Sequence, residues 1–120
     1  VSEQTAKYVR QFAFIELDLI RVKGKTSAVR IFGLVGDEAL ATQTEYNAMV
    51  QMWNEMLQNY RKGHWGQALE ALNKAHKIYQ EALTHLALNE LFTLYQVRIR
   101  DYQARPPIEG WDGVFVAKTK

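Results

Sequence analysis

Residues 17–34 read LDLIRVKGKTSAVRIFGL. Two apolar segments flank a short basic loop, Lys23-Gly24-Lys25-Thr26-Ser27, and this predicts a β-hairpin. The first strand extends back to about Phe12 and is apolar on both faces. Simple alternation puts Phe12, Phe14 and Ile20 on one face and Ile15, Leu17 and Leu19 on the other. A strand apolar on both faces belongs inside a layered sheet. The return strand covers about residues 28–35 and carries Val29, Ile31, Phe32, Leu34 and Val35, after which Gly36-Asp37-Glu38 breaks the pattern. A two-stranded hairpin alone is marginal in water, so this one requires cover. The expected cover is either the rest of a larger sheet or the helices that follow, through Leu91, Phe92 and Tyr95, with Trp111 and Phe115 of the tail as a plug; a homodimer through the hairpin is the competing solution.

Upstream, residues 1–9 read as a short helix opened by Ser2, with Glu3 in its first turn where the helix dipole favours an acid. Downstream, the periodicity becomes helical. Thr42-Gln43-Thr44-Glu45 is a capping-box pattern. Behind it, Tyr46, Met49, Val50, Trp53, Met56, Leu57 and Tyr60 recur at helical spacing, and Gly63 is placed as a left-handed residue past the helix end. A second helix carries Trp65, Ala68, Leu69, Leu72, Ala75 and Tyr79. A third starts near Thr84, carries Leu88, Leu91, Phe92, Tyr95, Ile99 and Tyr102, and stops at Pro106-Pro107. The tail holds Trp111, Val114, Phe115 and Val116, too apolar for a disordered end, and Trp111 is expected to fold back onto the helices or the hairpin.

With 120 residues, the chain has room for one domain or part of a larger one. It has no cysteine, which excludes a disulfide framework and a thiolate zinc site. Its net charge of +2 is spread thinly, which argues against nucleic acid as a partner. No apolar run approaches the roughly 20 residues that span a bilayer, and no signal-peptide pattern is present. The opening at Val1 reads as the middle of a strand-to-helix junction, as expected of a piece of a longer protein.

The basic hairpin resembles the end of the catalytic domain of class III nucleotide cyclases. The resemblance extends from the VKGK loop upstream through Val1-Ser2-Glu3-Gln4-Thr5 and Phe14-Ile15-Glu16-Leu17-Asp18, and downstream to Trp111-Asp112-Gly113-Val114. It is closest to bacterial membrane-tethered cyclases with an extracytoplasmic sensor and a helical C-terminal extension. It implies that the intact protein converts ATP to cyclic AMP and pyrophosphate as a homodimer of catalytic domains, using magnesium. It implies a location on the cytoplasmic side, anchored in the inner membrane by segments outside this chain. Lys23 aligns with the lysine that reaches the triphosphate, and Lys25 is the secondary candidate. The family's metal-binding aspartates, transition-state arginine and asparagine and base-reading residues lie upstream, with no counterpart in this chain. The catalytic set is therefore incomplete here, magnesium ligands are absent, and adenylate and guanylate specificity are not separated.

The first two helices also resemble one tetratricopeptide repeat through Tyr60, Gly63, Trp65, Ala68, Leu72 and Ala75. Met56 occupies a position where that repeat has a small residue, and no proline ends the second helix. The expected fold is α+β: a β-hairpin ending a cyclase sheet (residues 1–36), a three-helix tetratricopeptide-like bundle (37–105) and an ordered tail packing back (106–120).

Other residues able to carry chemistry have simpler readings. A compact lysine charge at a strand end suits a polyphosphate, but K-G-K by itself more commonly marks a solvated loop. Glu16 and Asp18, two apart on one predicted strand face, suit a divalent cation; pairing with Arg21 or Arg30 is the plainer reading. His64, His76 and His85 have no metal-ligand spacing. Met49, Met52, Met56, Trp53 and Trp65 suit an adaptable peptide groove, though at helical spacing they read first as core. The rival to the cyclase reading is a non-catalytic helical module that binds a protein partner.

Overall fold

The alternating and helical patterns become three strands and four helices in the computed structural model, which describes residues 1–4, 12–22 and 26–117. In chain order these are β1 (Ala13–Val22), β2 (Val29–Gly36), α1 (Glu38–Ala41), α2 (Thr44–Arg61), α3 (Trp65–Ala82), α4 (Asn89–Ala104) and β3 (Phe115–Ala117). The fold is α+β, a hairpin followed by a helical bundle and an ordered tail. Two compact units are formed, Val1–Thr42 with Gly113–Lys120, and Gln43–Asp112.

In the sheet unit the strand order is β2-β1-β3, with β1 in the centre. β1 and β2 are antiparallel, and their register slips between Glu16, opposite Phe32, and Asp18, opposite Ile31. Leu17 is the extra residue of a β-bulge. Phe32 and Ile31 are neighbours on β2 and point to opposite faces, so their partners Glu16 and Asp18 do too. This corrects the simple alternation. Beyond the bulge, Ile20 shares a face with Ile15, and Leu19 shares one with Phe14. Ala13 and Ile15 are buried. Leu40 of α1 lies over Gly36, where an added Cβ would stand 2.6 Å from its Cδ2. β3 adds in parallel, pairing Phe115, Val116 and Ala117 with Ile20, Arg21 and Val22. The other edge of β2 carries the chain start: the Phe32 amide donates to the Val1 carbonyl at 2.6 Å, the Val1 ammonium donates to the Phe32 carbonyl, and Ser2 bridges Ile31. Residues 3 and 4 are helical, and the rest of the helix expected over 1–9 lies outside the described residues.

Where the sequence suggests only an interruption at Gly36-Asp37-Glu38, a short helix forms. The Asp37 carboxylate accepts from the amides of Ala39 at 3.0 Å and Leu40 at 3.3 Å and so caps α1. The expected capping box does not form. Gln43 takes the N-cap of α2 without a side-chain bond, while the Thr42 hydroxyl donates to the Ala39 carbonyl and closes α1.

The helical unit is built around α2. Tyr46, Met49, Trp53, Met56, Leu57 and Tyr60 are all buried along it. α2 ends as its glycine requires. Gly63 has φ +77°, its amide donates to Tyr60, and the His64 amide donates to Asn59, the two bonds of a Schellman motif. The small buried Ala68, Ala71 and Ala75 of α3 leave room for close helix approach. From α4, Phe92 and Tyr95 meet Trp53 edge-on, at 5.4 and 5.1 Å between ring centroids. These rings are thus taken up inside the helical core. The third long helix begins at Asn89, later than the Thr84 expected. Residues 83–88 form a turn instead, with Leu83, Leu86 and Leu88 buried and the Tyr79 hydroxyl donating to the Leu86 carbonyl at 2.6 Å. α4 closes at Ala104, ahead of Pro106.

Candidate functional site

The strand that leads to the candidate phosphate contact is held from both sides. β1 is central, and its last three residues, Ile20, Arg21 and Val22, pair with β3. On the loop side, the Arg21 Nε donates to the Thr26 carbonyl at 3.3 Å, joining the two stems of the hairpin. Lys23 and Lys25, with Gly24 between them, lie outside the described residues. Val22, which immediately precedes Lys23, is the end of β1.

The two carboxylates of β1 are separately engaged. Glu16 accepts from Arg30 at 3.0 Å, and Arg30 also lies 3.8 Å from Glu3. Asp18 accepts from the neighbouring Leu19 amide at 2.9 Å. The bulge at Leu17 puts the two on opposite faces of the sheet, so they do not converge on a cation. This corrects the expectation that they share a face and favours the plainer reading of paired, partly solvated charges. Among the described residues, no group of three or more histidines and carboxylates is arranged to hold a metal ion.

The histidines are dispersed. His76 stacks on Phe92, with centroids 4.8 Å apart. His64 heads α3, where its carbonyl accepts from Ala68. His85 borders an open cleft of about 490 Å³ with Tyr79, Thr84, Asn89 and Glu90. The methionine and tryptophan groove is mostly core, since Met49, Trp53 and Met56 are completely buried.

Trp65 is different, being half-buried in a cluster of aromatic rings. It stacks on Tyr102 and meets Tyr60 and Trp111, at 6.0 and 5.8 Å. Trp111 also lies 5.5 Å from Tyr60 and 5.2 Å from Tyr102. A turn delivers Trp111 to this cluster: its amide donates to the Ile108 carbonyl, and Gly110 supplies the positive φ of +82°. Trp111 therefore folds back onto the helices, one of the two placements expected. Four residues later, Phe115 enters the sheet. The parallel pairing of β3 was not readable from the chain. Val114-Phe115-Val116 marks an apolar segment, but nothing in the pattern names its partner strand.

Among the described residues, no helix is long and apolar enough to cross a membrane. Compared with known proteins, the chain matches no family model, no curated protein and no solved structure.

Proposed function

We propose that this chain is the C-terminal part of a class III adenylate cyclase, with Lys23 contacting the substrate triphosphate and the helical unit serving as a structural or regulatory extension. One observation carries the reading. The strand leading into VKGK pairs as β1 with β3, the three residues that directly follow the Trp111-Asp112-Gly113-Val114 motif, although the two are distant in sequence. A polyphosphate contact benefits from such a base, because a point charge stabilises only if its backbone is held where the charge develops. The reading assigns the metal ligands and base-recognising groups to parts of the protein outside this chain, since Glu16 and Asp18 are not arranged to hold magnesium. It also assigns a homodimer of catalytic domains and anchoring on the cytoplasmic face of the inner membrane, and it leaves guanylate specificity as an outcome to measure.

The test is to express the whole gene product and assay it with ATP or GTP and magnesium or manganese. Cyclic AMP is the expected product; a product of neither kind overturns the reading. A second reading, a non-catalytic protein-interaction module, draws on Leu94 and Val97, which are 46% and 62% exposed on α4. It requires no nucleotide contact, so a whole protein that binds no nucleoside triphosphate would favour it.

A further inference from the structure

We propose that the outer edge of β2 at residues 33–35 is the docking site for the residues that immediately precede Val1 in the whole protein, which add there as an antiparallel strand. The inference rests on the reading of this chain as the C-terminal part of a longer protein, and it states where that part meets the segment before it. β1 covers one edge of β2. On the other edge, among the described residues, only Val1 and Ser2 are seated: Val1 exchanges both backbone bonds with Phe32, and Ser2 bridges Ile31. The chain runs antiparallel to β2 here, so the first, second and third residues before Val1 fall opposite Gly33, Leu34 and Val35. In an antiparallel ladder, every second residue turns its N–H and C=O to the same side. Phe32 uses both on Val1, so Leu34, two residues on, presents both to that edge. Leu34 is 58% exposed and borders an open cleft of about 350 Å³ with Phe12, Val35 and Asp37. An open edge with an apolar side chain invites a strand. Three residues of edge are too few for a second copy, since a stable interface buries about 1,200 Å² or more. The preceding segment needs no such area, because its docking is intramolecular from Val1. With Val1 and Ser2 it completes a strand of about five residues, an ordinary length. The second residue before Val1 shares the face of Leu34, and an apolar side chain is expected there.

Two measurements on the whole protein test this. By hydrogen exchange, the Leu34 amide should be protected to within about tenfold of the Gly33 amide, which points inward to β1. Leu34 exchanging more than about tenfold faster than Gly33 overturns the proposal. Disulfides mapped by mass spectrometry test the register. A cysteine in place of the second residue before Val1 stands about 5.5 Å in Cα separation from Leu34→Cys, within bonding range, and should close. A cysteine in place of the first residue before Val1 faces the other side of the sheet and should not close with Leu34→Cys. Equal closure from both positions, or closure from neither in protein that melts as the parent does, overturns the register. Where a cysteine variant does not fold, exchange in the unaltered protein decides. A whole protein that makes no cyclic nucleotide but protects Leu34 defeats the cyclase reading and keeps the strand; an active cyclase with an unprotected Leu34 does the reverse. A gene product with no residues before Val1 overturns both.

Discussion

Trp65 stacks on Tyr102 with ring centroids 5.2 Å apart and planes 20° from parallel. The pair joins the first residue of α3 to the last turn of α4. Trp53, by contrast, is wholly enclosed and meets Phe92 and Tyr95 edge-on. Both tryptophans look like core residues at helical spacing, yet their surroundings differ. Trp53→Ala should cost about 3–5 kcal/mol, the range for emptying a buried aromatic site. Trp65→Ala should cost roughly half of that, because part of its ring already meets solvent and mainly the stacking and partial burial are lost. Urea unfolding of the two variants checks the order; an equal or larger loss for Trp65 contradicts it.

The turn between α2 and α3 depends on one backbone conformation. Gly63 has φ +77°, and its amide and that of His64 satisfy the carbonyls of Tyr60 and Asn59. An added Cβ meets nothing closer than 3.7 Å, so the penalty for Gly63→Ala is conformational. It should be about 1–2 kcal/mol, and Gly63→Asn should cost less because asparagine tolerates the left-handed region. Thermal melts of the two variants give the ranking, and a reversed order excludes conformational strain as the cause.

That glycine shows what the chain discloses on its own. The hairpin, the long helices and the left-handed turn follow from local patterns: alternation, 3.6-residue spacing and a glycine in the right place. Other features depend on tertiary competition. Thr42 and Glu45 match a capping box, but the Thr42 hydroxyl is taken by the Ala39 carbonyl. Asp37-Glu38 was a readable start signal for α1 once the carboxylate is considered as a cap. The bulge at Leu17, which puts Glu16 and Asp18 on opposite faces, has no local signature, because neither glycine nor proline marks it. The same is true of the partner of β3, since parallel pairing links residues distant in the chain. Of the candidate site, the strand that ends just before Lys23 was legible, whereas its pairing with β3 was not, and Lys23 itself lies outside the described residues.

Tyr46 makes alkaline stability measurable. Burial raises its pKa from 10.0 to about 12. The unfolded chain then gives up this proton before the folded one does. Tyr46 therefore leaves stability unaffected well below pH 10 and weakens it as pH rises from 10 towards 12, by about 1.4 kcal/mol per pH unit at most. Tyr46→Phe should flatten that part of the pH–stability curve while leaving its slope at neutral pH unchanged. Denaturant midpoints at pH 7, 10 and 11 for both proteins check this; parallel curves would remove Tyr46 as the cause.

On the proposed cyclase reading, Lys23→Ala in the whole protein should lower turnover by about one to three orders of magnitude, the range for removing one electrostatic stabiliser. Lys25→Ala should lower it less, because Lys23 directly follows β1. Glu16→Gln should leave turnover within about twofold, since its carboxylate serves a partly exposed pair with Arg30 worth about 0–1 kcal/mol. The 120-residue chain alone should make no cyclic AMP, because the proposed reading puts the metal ligands of the two-metal centre outside this chain and, among the described residues, no cluster is arranged to hold a metal ion. Small, equal effects at Lys23 and Lys25 would reduce the loop to a surface feature.

Truncation after Arg105 removes two supports at once. In the helical unit, Tyr60, Trp65 and Tyr102 lose the ring of Trp111, which lies within 6 Å of each. In the sheet unit, the edge of β1 at Ile20–Val22 loses β3. An uncovered strand edge presents unpaired amides and carbonyls and invites pairing with another chain. The apolar side chains of Phe115 and the buried Val114 leave with it. The truncated chain should therefore melt several degrees lower and self-associate in light scattering. The two effects can be separated by Trp111→Ala in the 120-residue chain, which removes the ring and keeps β3 and so should lower the melting temperature with less association. A truncated chain that stays monomeric and melts at the same temperature would show that the tail contributes neither packing nor edge protection.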